Sequence, residues 1–376
     1  MKFRLEYKTL SDCIGSVSRA VATKTANPAL GNIHITVSEN KVRFVGSDQT
    51  IMMISTVPAE VEAGGVFTVP AKKIQELITN MSADNSSLVT LEIQEETNGV
   101  MSISCERLHY DIPVQGLEEY PPVPVIEEIT NSVTLEKEPF LKAIKEASIA
   151  MNVDSQTSGD IQKGICFDCV DESAMMISTD SKRLAITKVV GLSMPEELRK
   201  QFVIPDRAIP EIIKLFDSSD EVKLAIYGTQ LLFSNSKDQF ITRLLEGKFP
   251  EYKRIIPKDS NRTLKIARKD LTKAFKRLAP IARDINGQIL FDVSAIETKI
   301  WADARDKGKA EDFIPSVLEG DPINTSYNIK FLQDFVNVIE DEEVIIEMTS
   351  PGYPGVMRVG NPESEFRYIV MPMNRM

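Results

Sequence analysis

Two histidines, one tryptophan and four cysteines are all that this 376-residue chain holds of three chemically versatile residue types. His34 and His109 both sit in strand-like runs, where packing or surface placement is the ordinary role of an imidazole. No G-x-x-x-x-G-K-[ST] phosphate loop, no G-x-G-x-x-G turn and no G-x-S-x-G elbow occurs. These absences leave the set of candidate catalytic residues empty. Of the cysteines Cys13, Cys105, Cys166 and Cys169, the last two form a C-x-x-C inside the strand pattern GICFDCV. Residues three apart on a strand point to opposite faces, and no second pair completes a four-ligand cluster. The thiols are therefore read as structural, with no metal and no cofactor. No apolar run reaches membrane-spanning length, and MKFRLEYKTL lacks a signal-peptide core, so the chain is read as cytoplasmic and without a membrane partner.

What is present is repetition. Val133–Met151 reads as a short strand, Pro139 in the first turn of a helix, and apolar residues Phe140, Ile144, Ala147 and Met151 on one helical face. The same design opens the chain, with Phe3/Leu5 followed by Leu10, Ile14, Val17 and Val21. It returns at Leu264/Ile266 followed by Leu271, Phe275, Leu278 and Ala282. Each copy then has a second helix with i, i+3, i+4, i+7 apolar spacing: Ile74/Leu77/Ile78/Met81, Ile209/Ile212/Ile213/Phe216 and Leu332/Phe335/Val336/Ile339. The period is far longer than that of a solenoid, so each copy is expected to be a domain.

Between and after the helices run period-two alternations such as Val89/Leu91/Ile93, Val222/Leu224/Ile226 and Val344/Ile346/Met348. Asn98-Gly99 is a hairpin signal. Each copy thus reads strand, helix, strands, helix, strands: an α+β fold with mainly antiparallel sheets. Joins are expected at the Pro-rich stretch 120–124 and around 257–262, giving domains 1–124, 125–257 and 258–376. Asp48, Asp180 and Asp303 recur at the turn after a strand. Since the copies would hold them apart, turn capping outranks metal binding.

The net charge of −11 argues against nucleic acid until its distribution is considered. Acids gather at Glu118-Glu119, Glu127-Glu128 and Glu340–Glu343, whereas Leu264–Arg283 carries seven cations against Asp270 alone. Cations concentrated on helices suit sequence-independent attraction to phosphates.

Three stretches resemble a known family. Thr179-Asp180-Ser181-Lys182-Arg183-Leu184-Ala185 resembles the T-D-G-H-R-L-A stretch of the bacterial DNA sliding clamps, the beta subunit and processivity factor of DNA polymerase III. Glu246–Pro257, EGKFPEYKRIIP, is similar to their G-R-F-P-D-Y-R-R-V-L-P, and Tyr368–Met373 to their terminal Y-V-V-M-P-M. Ser181-Lys182 departs from the usual Gly-His, and Asn374 and Met376 depart near the end. The likeness spans the whole chain and keeps the motif order.

The resemblance implies a non-catalytic protein of three repeated clamp domains, with helices lining a central hole and antiparallel sheets outside. Two chains would join head to tail in a ring around duplex DNA. The implied DNA contacts are Lys24, Lys73, Arg207, Lys273, Lys276 and Arg277. The implied dimer contacts are Tyr110 and Ile112 of one chain against Pro280 and Ile281 of the next. A groove for short peptides of the replicative polymerase, the clamp loader and repair proteins would comprise Thr179, Ser181, Lys182, Arg183, Leu184, Pro250, Arg254, Ile255, Asn328, Phe331, Ile369, Met371, Pro372 and Met373. Two other readings stay open: an enzyme of repeated α+β domains, which lacks a catalytic constellation, and a protein-binding scaffold, against which the cation-rich third-copy helix weighs.

Overall fold

The structure, a computed structural model, describes residues 1–22, 25–93, 99–114, 120–123, 129, 131–152 and 160–374. The first copy runs β1 (Lys2–Glu6), α1 (Tyr7–Ser18), β2 (Asn32–Ser38), β3 (Lys41–Ser47), β4 (Ile51–Pro58), β5 (Glu60–Ala63), β6 (Gly65–Pro70), α2 (Ala71–Asn80), β7 (Leu88–Ile93), β8 (Val100–Cys105) and β9 (Leu108–Pro113). The second runs β10 (Ser132–Glu136), α3 (Lys137–Ser148), β11 (Gly164–Asp168), β12 (Ser173–Thr179), β13 (Arg183–Ser193), β14 (Gln201–Pro205), α4 (Ile209–Leu215), β15 (Glu221–Tyr227), β16 (Gln230–Ser234) and β17 (Asp238–Arg243). The third runs β18 (Arg262–Ala267), α5 (Arg268–Ala282), β19 (Gln288–Val293), β20 (Glu297–Asp303), β21 (Lys309–Glu319), β22 (Ile323–Asn328), α6 (Ile329–Val338), β23 (Glu343–Met348), β24 (Gly355–Val359) and β25 (Arg367–Val370). The order of elements repeats. Copy one adds only β5, which takes the place of the second half of the 11-residue strands β13 and β21.

The helices form where periodicity placed them, though Val21, Met151 and Phe216 fall just past the ends of α1, α3 and α4. Their apolar stripes are buried except for half-buried Leu77, Met151 and Ile213. In α5, Leu271, Phe275, Leu278 and Ala282 are all covered. Pro280 lies in the last turn of that helix, on the exposed side. No helix among the described residues is long and apolar enough to cross a membrane.

Contacts divide the chain into two compact units, Met1–Lys137 with Arg207–Leu244, and Glu138–Asp206 with Leu245–Met376. The first contains a five-stranded sheet, β5-β1-β7-β8-β9, and an eight-stranded one, β10-β15-β16-β17-β4-β3-β2-β6. The second contains one twelve-stranded sheet, β14-β11-β12-β13-β25-β24-β23-β18-β21-β20-β19-β22. Every strand pair is antiparallel.

Each unit thus has one seam where strands of successive copies pair. In the first unit β17 of copy two lies against β4 of copy one, with Phe240 opposite Met53. In the second, β25 of copy three lies against β13 of copy two, with Tyr368 opposite Ala185. The aspartates act as turn caps. Asp48 accepts from the Thr50 and Ile51 amides, Asp180 from those of Lys182 and Arg183, and Asp303 from that of Arg305. All four cysteines are free and buried. Among the described residues no cluster of histidine, cysteine and carboxylate side chains could hold a metal.

Candidate peptide groove and cationic surfaces

The three motifs, up to 190 residues apart in sequence, converge in the second unit. Leu184, Phe249, Tyr252 and Ile369 belong to one apolar cluster with Cys166, Ile177, Ile186, Val203 and Val356. The first motif is a tight turn from β12 into β13. The Thr179 hydroxyl accepts from the Ser181 amide at 3.1 Å and donates to the Arg183 carbonyl at 2.7 Å. Ser181 has φ +69°, the left-handed region that favours glycine. That explains why the family's usual residue here is Gly: the turn demands the conformation, and Ser adopts it at a cost.

Arg183 begins β13 and is buried. Its Nε donates to Asp180 at 2.9 Å; its Nη1 donates to Asp334 of α6 at 2.5 Å and to the Tyr368 hydroxyl at 3.0 Å. The guanidinium also lies 4.3 Å from the Phe331 ring centroid. Burial opposes its charge, but Tyr368, Asp334 and Asp180 outweigh that and hold its pKa above the ordinary value. Arg183 was expected in the peptide groove. Instead it ties strand β13, helix α6 and strand β25 together, and Thr179 likewise spends its hydroxyl on its own turn.

The second motif packs Phe249 and Tyr252 inward, and the Tyr252 hydroxyl donates to Asp168 at 2.9 Å. Burial, reinforced by Asp168, pushes the phenol pKa up. With those two rings as anchors the turn presents Pro250, Arg254 and Ile255 outward. Arg254, with 82% of its side chain exposed, pairs only with Glu251 at 2.8 Å among the described residues. Ile255 is 44% exposed.

The third motif leaves β25 and crosses the unit. The Met371 amide donates to the Lys182 carbonyl at 2.9 Å, and the Met373 amide to the Ser326 carbonyl at 2.9 Å. The Ser326 hydroxyl donates to the Met373 carbonyl at 2.5 Å, and Gln288 donates to that of Asn374 at 2.8 Å. These bonds hold Pro372 and Met373 half-buried and leave Met371 42% exposed. Leu184 and Ile369, expected among the groove residues, are 2% and 1% exposed and form its floor, because both point into the shared cluster. Asn328 caps α6 by accepting from the Lys330 amide and donates to the Asn286 carbonyl. What remains available to a ligand is Ser181, Lys182, Pro250, Arg254, Ile255, Met371, Pro372 and Met373, with half-buried Phe331 beside Arg183. Sequence reasoning missed Asp334 and Asp168, two carboxylates far from any motif with no local signal. It also missed a cavity of about 280 Å³ lined by Asp168, Ser173, Met175, Ile186, Tyr252 and Arg367.

Of the cationic candidates, Lys24 lies outside the described residues. In the first unit Lys73 is exposed on α2, 3.6 Å from Glu76. Arg207, one of the expected DNA contacts, has 53% of its side chain exposed and is ion-paired to Asp48, closing the Asp48 turn. In the second unit Lys273, Lys276 and Arg277 are exposed on α5. Lys269, Lys273 and Lys276 follow i, i+4, i+7 opposite the buried stripe, and none has an ion-pair partner among the described residues. Arg277 turns aside to Asp312 of β21 at 2.8 Å.

The proposed dimer residues divide similarly. Tyr110 is half-buried on the edge strand β9, and Ile281 is half-buried and Pro280 exposed on α5. Ile112 is 3% exposed in the single chain, so it is a core side chain that a partner cannot cover further. The half-buried residue sharing the face of Tyr110 is Leu108, which sequence reasoning passed over.

Residues 1–124, 134–251 and 253–374 match the family profiles of the DNA polymerase III beta subunit, N-terminal, central and C-terminal domains respectively. The beta sliding clamp of Bacillus subtilis is 26% identical over 98% of this chain and 99% of its own length. That of Vibrio cholerae is 24% identical over 99% of this chain and 100% of its own. The crystal structure of the Bacillus subtilis clamp superposes with a TM-score of 0.91 at 25% identity, covering 100% of both chains. A Pseudomonas aeruginosa clamp bound to griselimycin superposes with a TM-score of 0.90 at 22% identity, also covering 100% of both.

Proposed function

The chain belongs to the DNA polymerase III beta-subunit family, the non-catalytic beta sliding clamps, and from that premise we propose that two copies close head to tail around duplex DNA and tether a polymerase to it. The observation that carries this reading is the repeated seam. Inside the chain, the last strand of one copy pairs with the fourth strand of the copy before it, at β17·β4 and β25·β13. Three copies make two such seams and leave one strand of each kind over: β9 at a sheet edge, and the first half of β21, which pairs only with β20. Complementary leftovers on one molecule make heterologous contacts, which close into a ring when the rotation permits. Leu108 and Tyr110 would then meet Pro280 and Ile281 of the next chain.

We take the domains as 1–124, 125–257 and 258–376. The lysine stripe of α5, with Lys73, supplies phosphate attraction without base readout, as sliding requires. Lys24 and, more weakly because of their carboxylate partners, Arg207 and Arg277 add to it. The surface of Arg254, Ile255, Met371 and Pro372 over the Leu184–Ile369 floor takes short peptides from the replicative polymerase, the clamp loader and repair proteins. The tail is already pinned, which lowers the ordering cost of binding, and Met371 and Met373 adapt to several partners. The place of action is the cytoplasm. The deciding experiment loads the protein with a clamp loader onto nicked circular duplex and then linearises half the sample. Retention on circles and loss from linear ends is expected; equal retention on both would overturn the reading.

A further inference from the structure

The strand registers of the two internal seams determine what the third must be. Through the last sheet of each copy, paired residues run Phe3–Leu91–Ile103–Tyr110, Val133–Leu224–Phe233–Phe240 and Leu264–Ile346–Met357–Tyr368. Tyr110, Phe240 and Tyr368 are therefore equivalent. Through the other sheet they run His34–Val45–Ile54, Cys166–Ile177–Ile186 and Leu290–Trp301–Glu311. Those three rows are aligned by the last residue of the strand that leads to each second helix, Pro70, Pro205 and Asn328, which pair with Asn32, Gly164 and Gln288. Glu311 is thus the equivalent of Ile54 and Ile186. Ile54 lies opposite Gln239, and Ile186 opposite Arg367. The residue of β9 in the place of Gln239 and Arg367 is His109.

We propose that the seam between chains forms in one register: Tyr110 opposite the partner's Ala310, Asp111 opposite the partner's Lys309 and His109 opposite the partner's Glu311. This rests on the ring reading above and specifies its interface.

Three observations support the register. First, it repeats an internal pair, since Tyr368 already lies opposite Ala185. Second, it keeps faces matched. On β9 the odd-numbered residues 109, 111 and 113 are exposed and the even ones half-buried or buried; β21 alternates with the same parity. A one-residue slip would turn every inward side chain outward. Third, it crosses opposite charges. A slip of two residues one way sets Asp111 against Glu311 and Tyr110 against Asp312; the other way it takes Glu311 from His109 and carries Asp111 past Lys309, the first residue of β21, to Lys307. Directly opposed like charges are destabilising. His109, whose Nε2 lies 3.1 Å from Asp111 within the single chain, carries a ring N–H in any protonation state and can exchange that partner for Glu311 once Asp111 faces Lys309. Ile112 falls opposite Gly308, and a side chain at Gly308 would stand 3.5 Å from Ile281 Cδ1. The register therefore brings the Tyr110 strand to the Ile281 helix without further assumption.

The seam also differs in kind from its internal counterparts. Those oppose Phe240 to Met53, Ile241 to Met52 and Ile369 to Leu184, pairs meant to stay shut. The third opposes exposed charges. A ring that must open to admit DNA needs one seam whose groups hydrate readily, and this one qualifies.

Double cysteine variants of the full chain test the register. Tyr110→Cys with Ala310→Cys should form an intermolecular cross-link at least tenfold faster under mild oxidation than Tyr110→Cys with Gly308→Cys or with Asp312→Cys. In parallel, Asp111→Lys should raise the dimer dissociation constant about tenfold, and adding Lys309→Asp should restore most of it. Fastest cross-linking by a slipped pair, or no rescue, in a protein that sediments as a dimer overturns the register and leaves the ring intact. A monomer for the unsubstituted protein in sedimentation overturns both.

Discussion

The two internal seams share one construction and serve different ends. At β4·β17 the first residue of β4 is Ile51, opposite Thr242; at β13·β25 the first residue of β13 is Arg183, opposite Val370. Ile51 is simply buried. Arg183 gathers Asp180, Asp334, Tyr368 and Phe331. After β17 the chain continues, with the Leu244 amide bonded to the Thr229 carbonyl; after β25 a tail crosses to Ser326. Strand pairing is therefore the common scaffold, and what sets the second seam apart is the segment after β25, which bonds back to Lys182, Ser326 and Gln288.

The largest expected effect comes from removing what distinguishes the second seam. Arg183→Ala would leave Asp180 and Asp334 facing each other without a cation. That should cost about 3 kcal/mol, toward the low end for a broken buried pair because Asp334 still reaches water. Hydrogen exchange should report the loss in the second unit and no change at β4·β17; uniform deprotection would break the comparison. Next, deleting residues 371–376 should lower affinity for a Q-L-x-L-F type peptide at least tenfold by calorimetry while retention on circular DNA persists. Undiminished affinity would remove the tail from the groove.

The units should also respond oppositely to acid. In the first, burial, aided by Arg43, lowers the pKa of His34, whose Nδ1 is buried with no hydrogen-bond partner. A depressed histidine pKa contributes stability above the unfolded value of about 6.5, lost as pH falls through the folded one. In the second, burial raises the pKa of Glu146 despite its bond from Thr187 at 2.5 Å. A raised carboxyl pKa contributes stability fully present below about 4.3 and lost as pH rises through the folded value. Between pH 7 and 5.5 exchange protection should fall in the first unit and hold or rise in the second. His34→Gln and Glu146→Gln should each flatten their own unit's response, and identical pH profiles in both units would contradict the assignment. The smallest effect is Ser181→Gly. Relief of a left-handed serine, about 1 kcal/mol, is partly offset by the entropy of an unfolded glycine. A net gain under 1 kcal/mol, seen as a slightly higher midpoint of thermal unfolding, is expected; destabilisation would mean that the Ser181–Gln162 hydrogen bond outweighs the strain.

Much of this was legible in the amino-acid order, because burial of an amphipathic helix or strand depends on spacing along the chain. The three-copy plan, the buried stripes of α1, α3 and α5, the aspartate turn caps and the motifs that meet in the groove all follow from periodicity and local turn chemistry. Their partners did not. That Arg183 is spent internally, that Arg207 closes the Asp48 turn, that Ile112 is core and that Leu184 is floor each depend on a residue from a distant strand or helix arriving within hydrogen-bonding or van der Waals range. Sequence by itself determined which elements form and in what order they recur. Only the tertiary structure decided which side chains remain free to bind, since a donor or an apolar face is available only if no distant element has already taken it.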